Sequence, residues 1–176
     1  HCDKHVCKMI LEAGQMLCTA HWMSWLWYLE KDRSDFRLMR DVKVYLKEKV
    51  PKANQPPWSL THVNHPCSVW TRETHENYAW HLELMDNLLR EYNRRYHKVH
   101  KSNDVKQWLV RNKPLSFPNQ GLSPFAICMK DEYKISSDPV ECYREYYIKD
   151  KVRFAKWKTQ PPPWWQVSCN TQQVVV

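Results

Sequence analysis

Val6, Ile10, Ala13, Leu17 and Ala20 follow one another at steps of four and three. At about 100° per residue they fall on one face, which predicts a helix over residues 3–29. His5, Lys8, Glu12, Gln15 and Thr19 keep the same rhythm on the opposite face. A more polar helix is expected over 32–50, ended by Pro51. The Pro-rich stretch 51–64 reads as a connection ordered by Trp58, and 64–73 as a short helix with Asn64 as its cap. From Thr74 a longer helix carries Tyr78, Leu82, Met85, Leu89, Tyr92 and Tyr96 as a core stripe. Ser102 is placed to cap a short helix that follows. Residues 113–137 hold Pro114, Pro118 and Pro124 and no helical period, so they read as a long loop, functional or packed as a lid. Asp138 at N-cap and Pro139 at N1 start a last helix, expected to run to about 158 with Val140, Tyr143, Tyr147 and Phe154 turned inward. The sum is an all-α fold: one compact multi-helix domain over 1–165 with long Pro-containing loops, and an extended or disordered tail over 166–176.

Composition agrees. There are 2 Gly in 176 residues, too few for the turns and bulges of an all-β chain. Charge adds a function class: a net +8 with 10 Trp, 9 Tyr and 4 Phe favours an anionic partner, nucleic acid above all. The 7 Cys are odd in number and form no Cys-x-x-Cys pair, which fits reduced thiols in a cytoplasm better than a secreted disulfide framework. No apolar run is long enough to span a bilayer, so no membrane role is expected.

The first helix carries the densest candidate chemistry. Its polar face holds one Lys and one Glu among His, Gln and Thr, and three readings stay open. It is a solvated face with a Lys8–Glu12 ion pair. It is a metal site through His1, Cys2 and His5, with Cys7 as a further ligand, although Cys2 stands where the zinc motif His-Glu-x-x-His needs its Glu and Cys7 points away from His5 on a helix. Or it is catalytic, with Glu12 as acid/base or charge stabiliser, His5 beside it, and Lys8 supplying an amine or gripping phosphate.

Other patches follow the charge. In "NHPCSVWTRETHENYAW" His65 and Arg72 are site candidates, while Tyr78 and Trp80 read as structure. "RRYHKVHK" gathers Arg94, Arg95, Lys98 and Lys101, more cation than a helix dipole needs, and reads as a phosphate patch. "KDKVRFAKWK" interleaves Lys156 and its neighbours with Trp157, a pattern suited to gripping backbone and stacking on bases.

The blocks "CDKHVCKMILEAGQML", "NHPCSVWTRETHENYAW", "RRYHKVHK", "SPFAICMKDEYK", "SDPVECYREYY" and "FAKWKTQPPPWW" resemble a family of small phage and viral proteins described as pyrimidine-dimer DNA glycosylase-like. Together they span nearly the whole chain. More distantly, Asp3, His5 and Glu12 are similar in spacing to the N-terminal pattern of the endonuclease V type of glycosylase/lyase, an all-α family. That resemblance implies base release at C1′, an imine formed by an amine, an essential carboxylate at Glu12, and a basic aromatic segment for DNA. Leu11 and Gln15 stand where that type carries Arg, so phosphate gripping needs other residues. Its nucleophile is an N-terminal amine well ahead of the Asp-x-His, which here starts at Asp3. The expectation is therefore a fragment lacking roughly fifteen to twenty leading residues, with no nucleophile named.

The expected activity is thus a DNA glycosylase/AP-lyase acting on damaged or modified pyrimidines. Glu12 and His5 are catalytic, and Lys8, His65, Arg72, Arg95, Lys98, Lys101, Lys156 and Trp157 bind duplex DNA. No metal or other cofactor is required, and the setting is the cytoplasm of an infected cell. The alternatives are an enzyme of free nucleotides or modified bases, and a non-catalytic DNA-binding protein. A buried Glu12 beside His5 favours the enzymes, and an open one the binding protein. The oligomeric state is left open.

Overall fold

A computed structural model describes residues 1–165. Its helices are α1 (Asp3–Tyr28), α2 (Met39–Lys49), α3 (Pro66–Thr71), α4 (His75–Tyr96), α5 (Asn103–Arg111) and α6 (Pro139–Tyr146). The described residues contain no β-strand, only one bridge between Thr74 and Asn119. The fold is one all-α domain, and no helix among the described residues is long and apolar enough to cross a membrane.

α1 is the axis. In its first half Val6, Ile10, Ala13 and Leu17 pack on Tyr78, Met85 and Leu89 of α4 and Val105 and Leu109 of α5. In its second half Trp22, Met23 and Leu26 pack on Val42 and Leu46 of α2, with Leu60 and Val63 closing the layer. Every residue from Met16 to Ser24 is buried, so here the helix is enclosed on all sides. That sequestration needs partners for polar groups: Thr19 donates to the Thr61 carbonyl at 2.6 Å, and His21 bonds the Tyr78 hydroxyl at 2.8 Å. Thr19 therefore belongs to the core rather than to the polar face its spacing suggests.

Several boundaries move from the expected positions. Asp32 caps a tight turn at Arg33–Asp35 instead of opening a helix, and α2 begins only at Met39. α3 is capped by His65, not Asn64; the His65 ring accepts from Cys67 N–H, and Pro66 fills the first helical position. α4 stops at Tyr96 because His97 turns left-handed, at φ 52°. Ser102 makes no side-chain cap to α5; His100 Nδ1 instead accepts from the Ser102 N–H at 3.1 Å. Asp138 does cap α6, accepting from Val140 N–H. That helix gives way to a π turn at Tyr147–Lys151 and does not reach 158. Val140, expected in the core, is 51% exposed. Tyr147 is buried with Cys2 and Trp165 in a small cluster that also holds Phe154 and Trp157. The tail expected over 166–176 lies outside the described residues.

Candidate functional site

Three segments remote in sequence meet at one end of the molecule. Asp3 N–H donates to the Lys156 carbonyl at 2.8 Å, fixing the first turn of α1 to the basic segment after α6. Arg95, near the end of α4, donates to the Asp3 carboxylate at 2.9 Å, and Tyr96 reaches the Asp3 carbonyl. Lys158 lies over the Tyr96 ring, and Lys4, Lys151 and Arg153 surround Phe154. The exposed cations of this end include Lys4, Lys8, Arg94, Lys98, Lys101, Arg153, Lys156 and Lys158.

The face of α1 between these segments carries the proposed chemistry. His5 Nδ1 and the Tyr147 hydroxyl are 2.5 Å apart, and His1 Nδ1 lies 3.0 Å from the same oxygen. Burial, and to a lesser degree Cys2, pushes the Tyr147 phenol well above its usual range. It therefore stays protonated, able to donate to one imidazole and accept from the other. Burial, followed by Lys151 and Lys8, lowers the His5 pKa, with Glu12 acting the other way. A neutral imidazole results, suited to accept a proton. Glu12 is 26% exposed and paired with Lys8 at 2.9 Å, while Lys8 is 62% exposed. The carboxylate is thus half-sheltered beside an accessible amine. The face continues through Gln15, which meets His62 at 3.2 Å.

On the flank of α1, Cys7 and Leu11 form one wall of a cleft of about 700 Å³. Trp58 and Tyr92 give it aromatic surface, and Lys98 and Lys101 stand on its rim. An apolar, aromatic lining with cations at the edge suits a planar base attached to phosphate. Leu11, which replaces a phosphate-gripping Arg in the resemblance, supplies part of that lining. A smaller cleft of about 260 Å³ against α2 has Lys43 and Lys47 as its charged groups and no candidate residue.

The candidates divide by what they touch. His5, Lys8 and Glu12 share one face, and Lys98, Lys101 and Lys156 remain exposed near it. Arg95 is corrected: its side chain is 6% exposed and paired with both Asp3 and Glu91, so it holds α4 to α1 and presents almost no surface to a phosphate. Arg72 is half-buried and donates to the Val63 carbonyl at 2.6 Å, which ties α3 to the segment before it. Burial lowers its pKa, partly offset by Glu73. The Glu73 carboxylate itself accepts from Ser123. Trp157 packs on Trp165 with ring centres 4.6 Å apart, and its Nε1 is buried without a hydrogen-bond partner among the described residues. Its packing role is clear, and the residue as a whole is half-buried. The metal reading at His1, Cys2 and His5 has no support, because Cys2 is fully buried against Tyr147 and Trp165.

His65 lies apart from the basic end. It meets Cys67 and Cys128, and the ligand-capable atoms of the three lie within 4.8 Å of one another. The Tyr143 hydroxyl contacts the Cys67 thiol and accepts from Cys128 N–H at 3.3 Å. Burial and the neighbouring Cys128 push the Cys67 thiol up to about 11. Sequence reasoning found no metal ligands here because it looked for paired cysteines close in sequence. His65 and Cys67 are two residues apart, but Cys128 arrives from the long loop.

Comparison with protein-family models, curated proteins and solved structures gives no match to the chain.

Proposed function

We propose that the protein binds DNA through its basic end and acts there as a glycosylase/lyase on a damaged or modified pyrimidine. The observation that carries the reading is the convergence of two basic segments, the end of α4 and the stretch after α6, on the start of α1, which carries His5, Lys8 and Glu12. The exposed lysines would neutralise backbone phosphates, and the cleft beside α1 would receive a base drawn out of the stack. The Lys8 amine would attack C1′, its nitrogen giving up a proton to the departing base, while the Glu12 carboxylate stabilises the positive charge that develops on the sugar. As the C1′–N bond breaks, the base leaves with a proton and the opened sugar forms an imine with Lys8. His5, held by Tyr147, would move the proton needed for β-elimination. The cysteines among the described residues are free thiols, which suits a reducing cytoplasm.

The test is borohydride trapping on duplex DNA carrying a thymine dimer or an abasic site. A covalent adduct lost in Lys8→Gln, with strand cleavage lost in Glu12→Gln, supports the mechanism. DNA binding that weakens with salt, without adduct or cleavage, overturns the enzymatic part and leaves a binding protein. The cleft also favours a second reading, an enzyme of free nucleotides. Retained nucleotide binding with a weak salt dependence would select it, because few phosphates are then engaged.

A further inference from the structure

We propose that His65, Cys67 and Cys128 form a zinc site that fastens the 113–137 loop to α3 and leaves one coordination position open to solvent. The site is separate from the DNA reading and stands or falls without it.

The geometry is close to a coordination polyhedron. Zinc takes sulfur at about 2.3 Å and imidazole nitrogen at about 2.0–2.1 Å, so a tetrahedral site has N···S edges of about 3.6 Å and S···S edges of about 3.8 Å. His65 Nε2 and Cys128 Sγ are already 3.4 Å apart, and Cys67 lies within the same 4.8 Å group. Among the described residues no other group of three His, Cys, Asp or Glu gathers its ligand atoms this closely.

The donors choose the metal. Two thiolates and one imidazole, with no carboxylate, disfavour magnesium and calcium and suit a soft or borderline cation. Three protein ligands are one short of a closed structural site, and all three residues are half-exposed, so water can take the fourth position. Tyr143, in contact with Cys67 and with the Cys128 backbone, supplies the outer hydrogen bonds that orient such ligands.

Binding balances simply. Zinc displaces one proton from each thiol to solvent, and the imidazole stays neutral as its proton moves from Nε2 to Nδ1. Nδ1 then ceases to accept from Cys67 N–H, a contact already long at 3.3 Å. One weak cap is exchanged for three coordination bonds.

The site also accounts for how a long segment without regular structure is held. Ser123 accepts from Asn77 and donates to Glu73, pinning the middle of the loop. Phe125 then packs on Trp70 and Trp80, the Ala126 carbonyl accepts from Tyr143, and Cys128 follows them.

The experiment uses the reduced, metal-stripped 176-residue chain titrated with Co²⁺ and then Zn²⁺. We expect one equivalent of cobalt to give a thiolate charge-transfer band with the d–d bands of a tetrahedral ion, both erased by zinc. Cys67→Ser, Cys128→Ser and His65→Ala should each weaken zinc binding by more than about 100-fold, since losing even an outer-shell partner costs about 10–100-fold. Cys7→Ser should leave it unchanged. A second readout does not depend on the variants folding: zinc should slow alkylation of Cys67 and Cys128, but not Cys7, by more than about 10-fold in peptide mass spectra. The proposal is overturned if the reduced chain takes up no metal, or if the cobalt spectrum survives in the Cys67→Ser/Cys128→Ser double variant. Equal alkylation with and without zinc would overturn it as well.

Discussion

Replacing Gly14 by alanine sets two opposing effects against each other at one site. Gly14 lies inside α1, where alanine is intrinsically favoured by about 1 kcal/mol. A Cβ built there would stand 2.6 Å from Trp58 Cζ3, 3.1 Å from Met85 Cε and 3.2 Å from Trp58 Cη2. Carbon atoms rest at about 3.5–4.0 Å, so the indole must move by nearly an ångström. The ring borders the cleft on one side, but its backbone is held. Its own carbonyl accepts from Trp22 Nε1 at 2.8 Å, and Met85 behind it is fully buried. Overpacking of this kind costs about 1–3 kcal/mol, and the upper part of the range applies where the neighbours cannot yield. The net expectation is a loss of about 1–2 kcal/mol. For a chain of this size that lowers Tm by about 2–8 °C. Thermal and urea unfolding followed by circular dichroism would measure it. In a Trp58→Leu background, where the clashing ring is gone, the same substitution should become stabilising. A Tm that is unchanged or raised in the wild-type background would refute the packing argument.

Two further outcomes follow from buried polar groups. Burial lowers the pKa of His21 to about 3 and of His81 to about 4, so below pH 6.5 the unfolded chain takes up protons that the folded one refuses. Their contribution is complete above pH 6.5 and is lost as the pH falls toward 4. The slope approaches about 1.4 kcal/mol per pH unit for each imidazole, and urea midpoints equal at pH 7 and pH 5 would contradict it. Arg95→Met should cost about 2–4 kcal/mol, because it leaves the half-buried Asp3 without its cation and Glu91 with Arg94 alone. It should leave the salt dependence of DNA binding unaltered. A stability change within about 0.5 kcal/mol, the usual range for a surface residue, would return Arg95 to the phosphate-binding set.

The α1 and α4 stripes were legible because a buried helical face repeats at a fixed period, and the pair Asp138 and Pro139 marks a start that local chemistry alone enforces. The boundaries that moved are those decided by distant residues. His97 takes a left-handed conformation normally left to Gly, so nothing in "RRYHKVHK" announces the end of α4 there. The segment 147–151 keeps helical residues yet winds wider, with Tyr147 drawn onto His5 and Cys2. At the candidate site the grouping of His5, Lys8 and Glu12 was readable from spacing. What each arginine does was not, since Arg95 and Lys98 look equivalent until Asp3 and Glu91 close on one of them. Cys128 was invisible as a partner of Cys67 for the same reason: a loop has no period by which to place it.

The bond from Asp3 to Lys156 and the ion pair from Asp3 to Arg95 also bear on how the chain acquires its shape. The opening turn of α1 has no side-chain cap of its own. Its anchors lie 92 positions later in α4, and later still beyond α6. Helical turns form within a microsecond, but loops this long must close before the anchors arrive, and that entropy slows the step. During synthesis the His5–Glu12 face leaves the ribosome before either of the segments that hold it in place. A chain that stops short of the segment beyond α6 lacks the bond to Asp3 that fastens the opening turn, so the turn is held only once nearly all of the described residues have been made.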